Sequence, residues 1–77
     1  MVDLIHKRSE NINKSDSETF SQGRTVYVGT GGDVRVESLG GDDTIYKNVL
    51  EGSFLPIQVK RIYATNTTAS DFVVMWQ

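Results

Sequence analysis

Apolar and polar residues alternate along most of the chain after residue 23, and glycine-containing turns separate the alternating runs. Val26 and Val28 share one parity in the first run, and Val34 and Val36 do so in the second. Alternation with a period of two is the pattern of a β-strand that buries one face. Glycine adopts the positive φ angles that tight hairpins need, which predicts hairpin turns between the runs. The predicted strands are residues 24–29, 33–39 and 43–49, with turns at 30–33, 40–42 and 51–53.

A fourth, longer strand is predicted at residues 54–64, with a change of phase inside it. Leu55, Ile57 and Val59 share one parity, whereas the next large apolar residue, Ile62, has the other. A β-bulge at Lys60–Arg61 is the usual way in which a strand exchanges its buried face. The pattern ends with a loop at residues 65–70 and a last strand at residues 71–77.

Both faces of the last predicted strand are apolar. Phe72, Val74 and Trp76 have one parity, and Val73 and Met75 have the other. A strand in a two-layer antiparallel fold normally keeps one wet face. Either this strand is central and covered by its own chain, or one face contacts another subunit. The small size of the chain favours the second interpretation, and the candidate subunit-contact residues are Tyr63, Val73 and Met75.

The runs together predict an all-β domain at residues 23–77, preceded by an extended N-terminal arm at residues 1–22. The expected architecture is a small antiparallel β-sandwich or barrel of about five to six strands, jelly-roll-like in type. Ser15 and Glu18 have the spacing of a capping box, so a helix is expected, if anywhere, only in the arm. The predicted core contains the inward residues of the strands: Val26, Val28, Val34, Val36, Leu55, Ile57, Val59, Phe72, Val74 and Trp76.

The composition limits how so short a chain is stabilised. It has 77 residues, one histidine and no cysteine, so disulfides are excluded and a structural zinc site is not expected. Small domains without such links often gain stability by self-association. The net charge of −2 argues against a nucleic-acid-binding module. No apolar run reaches the roughly 18 residues of a membrane span, and Met1–Glu10 lacks the apolar stretch of a secretory signal peptide.

No group of residues predicts catalysis. His6 lies in the polar arm, without the rigid cradle and oxyanion donors that a catalytic triad requires. The Gly29–Gly32 segment lacks the third glycine of a dinucleotide fingerprint and the Gly-Lys-Ser/Thr sequence of a P-loop. We therefore predict a protein that is not an enzyme, with no catalytic, cofactor-binding or metal-binding residues.

Two weaker binding interpretations stay open. Acidic turn residues can supply oxygen ligands for calcium, and the candidates are Asp42 and Asp43 with Glu37 or Glu51. A basic face with tyrosines between the charges is typical of single-stranded nucleic-acid binding. Its candidate residues are Arg24, Arg35, Lys47, Lys60 and Arg61 with Tyr27, Tyr46 and Tyr63.

Three segments in order carry a resemblance to a known family. They are YVGTGGDVRV (residues 27–36), GGDDTIYKNV (residues 40–49) and LPIQVKRIYATNTTASDFVVMW (residues 55–76). In this order and spacing the chain resembles the small head spike base proteins of tailed bacteriophages and gene transfer agents. It departs from the pattern at Asp43, an additional acid, and at Asn66, where glycine is typical.

The resemblance implies a structural protein of a tailed-phage virion without catalytic activity. It would bind the outer capsid surface as a decoration, cement or head spike base protein and stabilise the shell or anchor a fibre. The implied partners are the major capsid protein, a spike or fibre protein, and further copies of the chain in a trimer or pentamer. Synthesis in the bacterial host cytoplasm and a position on the capsid exterior would follow. We expect the arm to tether the domain to the capsid through Leu4, Ile5, Ile12 and Phe20.

Two other functions compete with the structural role. A host-surface or glycan-binding module would use Tyr27 and Tyr46 with the polar loops. A small single-stranded nucleic-acid-binding β-barrel would use the basic residues and tyrosines named above, and salt-dependent retention on single-stranded DNA would favour it.

Overall fold

The structure of the chain, a computed structural model, describes residues 7–77. The described residues form seven strands and no helix, and so they contain no helix long and apolar enough to cross a bilayer. The strands are β1 (Arg8–Ile12), β2 (Thr25–Thr30), β3 (Gly32–Ser38), β4 (Asp43–Val49), β5 (Ser53–Phe54), β6 (Val59–Ile62) and β7 (Ser70–Trp76).

The strands make two sheets. The first sheet has the order β1-β7-β2-β5 and the second has the order β4-β3-β6. Every pairing in both sheets is antiparallel. The prediction of an all-β antiparallel fold is confirmed.

The core lies between the sheets and consists mainly of valines from alternate strand positions. Val26, Val28, Val34, Val36, Val59 and Val74 are completely buried. Burying a side chain of this size stabilises a fold by about 1.5–3 kcal/mol relative to leaving it exposed. The alternation in the sequence therefore identifies most of this core, and Trp76 lies partly buried against it.

The predicted core contains one wrong residue and lacks two correct ones. Ile57 is 37% exposed, because the chain leaves the first sheet after Phe54 and does not resume strand pairing until Val59. The predicted single strand over residues 54–64 is therefore wrong. Ile62 and Ala69 are buried instead.

The predicted β-bulge in β6 is confirmed. Val59 pairs with Ser38 and Arg61 pairs with Glu37, which leaves Lys60 as the additional residue on the β6 side. The insertion changes the phase of the strand. As a result Val59 and Ile62 both reach the core.

The Thr30–Asp33 segment turns the chain, but it does not make the expected hairpin. It joins β2 of the first sheet to β3 of the second. Gly32 has a φ of 153°, and a Cβ at this position would lie 2.7 Å from the Thr68 hydroxyl oxygen. A glycine is required here because the crossing passes close to the Thr68–Ala69 backbone. The Gly40–Asp42 turn does join two paired strands, β3 and β4.

Part of the N-terminal arm belongs to the sandwich. β1 pairs with β7 over its whole length, from Arg8 opposite Trp76 to Ile12 opposite Phe72. β7 is therefore a central strand of the first sheet. Further along the arm, the Ser15 hydroxyl accepts a hydrogen bond from the Glu18 N–H at 3.3 Å, in a turn without a helix.

Candidate interaction surface

The outer side of the first sheet carries an uncharged surface, which we call the apolar face. Directly paired residues of neighbouring strands point to the same side of a sheet. Val73 pairs with Tyr27, Tyr27 pairs with Phe54, and Met75 pairs with Thr25. Since the neighbouring residues of β7 are buried in the core, these five side chains point outward. The apolar face is Thr25, Tyr27, Phe54, Val73 and Met75.

The apolar face contains an aromatic pair. The rings of Tyr27 and Phe54 meet edge to face with centroids 5.4 Å apart, and Phe54 stays 39% exposed. Such pairs contribute about 0.5–1.5 kcal/mol beyond the area they bury. β1 adds the polar rim, with Ser9 beside Met75 and Asn11 beside Val73. A central apolar cluster with a polar rim is the arrangement of a protein–protein contact surface.

The outer side of the second sheet has the opposite chemistry, and we call it the charged face. It consists of Asp33, Arg35, Glu37, Asp43, Ile45, Lys47 and Arg61. Arg35 donates two hydrogen bonds to the Asp43 carboxylate, at 3.0 and 2.7 Å. These bonds lower the pKa of Asp43 below its ordinary value. Bidentate pairing of this kind fixes both side chains in one geometry.

A second acidic residue of the charged face is also paired. Glu37 lies 3.2 Å from Arg61 Nε and 3.6 Å from Lys60 Nζ. The Arg61 Nε and the Glu37 oxygen that it contacts form no hydrogen bond of good geometry, so charge attraction holds this pair. The charges of the described residues on this face therefore largely neutralise one another within the chain.

The structure separates the three predicted subunit-contact residues. Val73 and Met75 lie on the apolar face, partly buried. Tyr63 follows β6 in the second sheet, with its ring 4.0 Å from the Arg35 guanidinium carbon and 5.2 Å from that of Arg61. Both distances are within the range of cation–π attraction. Tyr63 therefore belongs beside the charged face and does not join Val73 and Met75 in one surface.

The structure places two of the predicted tether residues against the core. Ile12 and Phe20 are partly buried and pack on the core cluster, so their side chains already have apolar neighbours within the domain. Leu4 and Ile5 lie outside the described residues, as does His6.

Arg24 fixes the end of the arm to the sandwich. It is 7% exposed, and its guanidinium carbon lies 3.8 Å from the Trp76 ring centroid and 5.4 Å from that of Phe20. Its Nη1 donates to the Gln22 carbonyl at 2.8 Å. This side chain also lines a groove of about 730 Å³ between residues 10–15 and residues 18–21 of the arm. Arg24 is thus a packing residue, and it is not part of an exposed basic face.

The middle of the arm is held against the loop that follows β6. The Asp16 carboxylate accepts hydrogen bonds from the Thr65 hydroxyl at 2.6 Å and the Thr65 N–H at 2.9 Å. These bonds lower the pKa of Asp16 below its ordinary value. Lys14 donates to the carbonyls of Thr67 and Ala69 at 2.8 and 3.1 Å. The arm therefore closes the side of the sandwich next to β6.

The residues considered for other kinds of binding are dispersed or paired. Asp43 and Glu37 are each bound to an arginine, and no cluster of metal-ligating side chains occurs among residues 7–77. Tyr46 packs against the core, and Tyr27 packs on Phe54. The basic residues of the charged face contact acids, so residues 7–77 do not form the basic face with interspersed tyrosines that was considered as an alternative.

The sequence predicts the apolar face only in part. Phe54 falls at the start of the predicted long strand, and its position beside Tyr27 depends on β5 pairing with β2. The signal available in the sequence is the parity of Tyr27, which is opposite to that of the buried Val26 and Val28. That parity places Tyr27 outward, but it does not identify the neighbouring strand.

Comparison with known proteins gives a likeness over nearly the whole chain. No protein-family profile matches the sequence, and no curated protein matches it significantly. Among solved structures, the fold superposes with a TM-score of 0.74 on a chain of "Capsid of native GTA particle computed with C5 symmetry", where GTA denotes gene transfer agent. The two sequences are 33% identical, and the match covers 94% of this chain and 83% of that chain.

Proposed function

This chain belongs to the same family as that chain of the gene transfer agent capsid, and we propose that it is a structural protein of a tailed-phage or gene transfer agent virion. It binds the outer surface of the capsid as a decoration protein or as the base of a head spike. In this role it stabilises the shell or anchors a fibre, and it catalyses no reaction.

The single observation that carries the proposal is the likeness to the capsid chain. The identity of 33% extends over 94% of the chain, which is far more than one motif. A shared motif alone would support a shared local chemistry, whereas a shared domain of this extent supports a shared place in an assembly. The order of the three sequence segments that resemble head spike base proteins points in the same direction.

The apolar face supplies the physical basis for assembly. Val73, Met75 and Phe54 present apolar surface next to a polar rim, and burying such surface contributes about 25 cal/mol per Å². We propose that this face makes the contact between copies, or between a copy and the shell. A trimer or pentamer would match the three-fold and five-fold axes of a capsid. Weak individual contacts gain from being repeated in one assembly.

The tether proposal is modified by the packing of the arm. Because Ile12 and Phe20 pack on the core, we assign docking to the apolar face and assign to residues 8–22 the closing of the sandwich. Leu4 and Ile5 stay as the candidate tether residues.

The proposal is tested by binding to capsids that lack this protein. Purified protein is mixed with such shells and sedimented, and we expect it to pellet with them at a fixed number of copies per shell. Val73→Glu places a charge at the centre of the apolar face, and we expect binding at least about tenfold weaker because an unpaired charge would be desolvated. Glu51→Lys, which alters an exposed turn, is the matched control and should bind like the wild type.

Two results would refute the proposal. Failure of the wild-type protein to pellet with any shell would remove the capsid role. Unchanged binding of a folded Val73→Glu variant would remove the apolar face as the contact surface.

A further inference from the structure

β4 is an edge strand of the second sheet, paired with β3 on one side only. It has seven residues, Asp43–Val49. An open edge of this length presents unpaired backbone groups that favour pairing with another strand.

The hydrogen bonds of β3 show which groups of β4 face the open edge. Tyr63 N–H donates to the Arg35 carbonyl at 2.9 Å, so Arg35 directs its backbone groups toward β6. Ser38 N–H donates to the Asp42 carbonyl at 2.8 Å, so Ser38 directs its groups toward β4. In an antiparallel ladder the hydrogen-bonded pairs alternate along the strand. The backbone groups of Asp43, Ile45 and Lys47 therefore point away from β3, and no turn or loop hydrogen bond between backbone groups of residues 7–77 reaches them.

The side chains of the same three residues are exposed. Ile45 is 42% exposed. The side chains of Asp43 and Lys47 are 48% and 69% exposed. Along the strand they read acid, aliphatic, base. This order becomes self-complementary when the strand is turned around to pair with itself.

We propose that the β4 edge pairs with β4 of a second copy of this chain, antiparallel and centred on Ile45. This register places Ile45 opposite Ile45 of the second copy, and Asp43 opposite Lys47 at both ends. The three positions paired in this way are the ones whose backbone N–H and C=O groups face the open edge. Backbone bonds, an apolar contact and two ion pairs thus arise from one register.

The charges around β4 extend across the new contact. Asp43 already pairs with Arg35 at 2.7 Å, and Lys47 pairs with Asp33 at 3.4 Å. In the paired state each end carries the sequence Arg35, Asp43, then Lys47 and Asp33 of the second copy, with alternating sign. A lysine on an edge strand usually guards against unwanted pairing. Here the self-pairing register gives that lysine an acidic partner.

This contact is separate from the apolar face and goes beyond the proposed function. It joins two second sheets into one sheet of six strands, related by a two-fold axis through Ile45. The apolar faces of both copies stay free. On a shell, such a contact would link copies bound at neighbouring positions.

A charge-exchange experiment tests the pairing. Lys47→Glu gives a chain with two acids on the edge, and Asp43→Lys gives a chain with two bases. We expect each variant alone to dimerise at least about tenfold more weakly than the wild type, since opposite charges across a strand pair attract and like charges repel. An equimolar mixture of the two variants should recover dimers as the mixed species, which native mass spectrometry distinguishes by mass. Circular dichroism verifies that each variant is folded.

Cross-linking locates the contact, because the natural chain has no cysteine. Ile45→Cys should give covalent dimers with a short bismaleimide, whereas the control Glu51→Cys should give few. Absence of dimers of the wild-type protein at high concentration, or lack of recovery in the mixture of variants, would overturn the inference. The double variant Val73→Glu/Ile45→Cys carries a charge on the apolar face and one thiol on the β4 edge. It should still form cross-linked dimers even if it no longer binds capsids. Loss of capsid binding and loss of β4 pairing can therefore be observed separately.

Discussion

The two outer faces of the sandwich are built on the same strand alternation and carry opposite chemistry. On the charged face, Arg35 holds Asp43 in a bidentate pair, and Glu37 lies between Arg61 and Lys60. On the apolar face, Phe54 and Tyr27 pack on each other beside Val73 and Met75.

The difference shows which face still has surface that a partner could bury. Ion pairs within the chain use the charges on the outer side of the second sheet, so a partner that covered this charged face would have to compete with existing bonds. The apolar face offers surface whose burial lowers the free energy without breaking any bond. Contiguous exposed apolar surface on a small protein is typical of interaction sites. We therefore assign docking to the first sheet.

The largest effect should separate the two sides of β7. Val74 is completely buried, so Val74→Ala should lower the free energy of unfolding by about 2–3 kcal/mol through lost burial and a cavity. Val73→Ala, on the apolar face, should lower it by less than about 1 kcal/mol. Urea denaturation of the two variants measures this difference. Equal losses would mean that Val73 is a core residue.

A smaller effect is expected from the charged face. Arg35→Ala removes the pair with Asp43 and the contact with Tyr63, and it should lower the urea midpoint by less than Val74→Ala does, because solvent screens partly exposed charges. Capsid binding should not change. Denaturant titration measures the change in stability, and sedimentation with shells measures capsid binding. If the folded Arg35→Ala variant no longer bound capsids, the charged face would be the contact surface instead.

Acid should weaken the ion pairs of the charged face, whereas the apolar face has no carboxylate that acid could protonate. The Arg35 hydrogen bonds keep the pKa of Asp43 below its ordinary value. A depressed folded-state pKa stabilises the fold above the unfolded-state value of about 3.9, and this contribution is lost as the pH falls through the folded-state pKa. The melting temperature of the wild type should therefore decrease once the pH is lower than about 4. The melting temperature of Asp43→Asn should decrease less over the same pH range. Identical pH profiles would be evidence against the pairing.

The smallest effect is expected at Tyr63. Its ring contacts both arginines, so Tyr63→Phe keeps the stacking and should change the free energy of unfolding by less than about 0.5 kcal/mol. Oligomerisation through the apolar face should also be unchanged, because Tyr63 lies beside the second sheet, away from that face. Analytical ultracentrifugation measures the oligomeric state of this variant. Dissociation of the oligomer would indicate that Tyr63 is part of the subunit contact after all.

Local alternation predicts the strands well and their partners poorly. The bounds of β4 agree with the prediction, and the bulge at Lys60 follows from the phase change between Val59 and Ile62. Alternation reports the parity of a residue but not the sheet that contains it. For this reason the pattern predicts a hairpin at Gly31, where the chain in fact crosses between sheets.

The features that alternation does not predict depend on contacts between residues distant in sequence. Ile12 faces Phe72 only because β1 pairs with β7, and nothing in the arm's own composition specifies that pairing. Asn66 adopts a φ of 66°, which asparagine tolerates better than most residues. The additional acid, Asp43, binds Arg35. The structure thus gives each of these two residues a local role that the alternation of the sequence does not reveal.

Hydroxyl-radical footprinting of the protein, free and bound to capsids that lack it, compares the two faces in one measurement. We expect Met75, Phe54 and Tyr27 of the apolar face to become protected on binding, while Tyr63 beside the charged face keeps its reactivity. Protection of Tyr63 with unchanged oxidation of Met75 and Phe54 would contradict the assignment of docking to the first sheet.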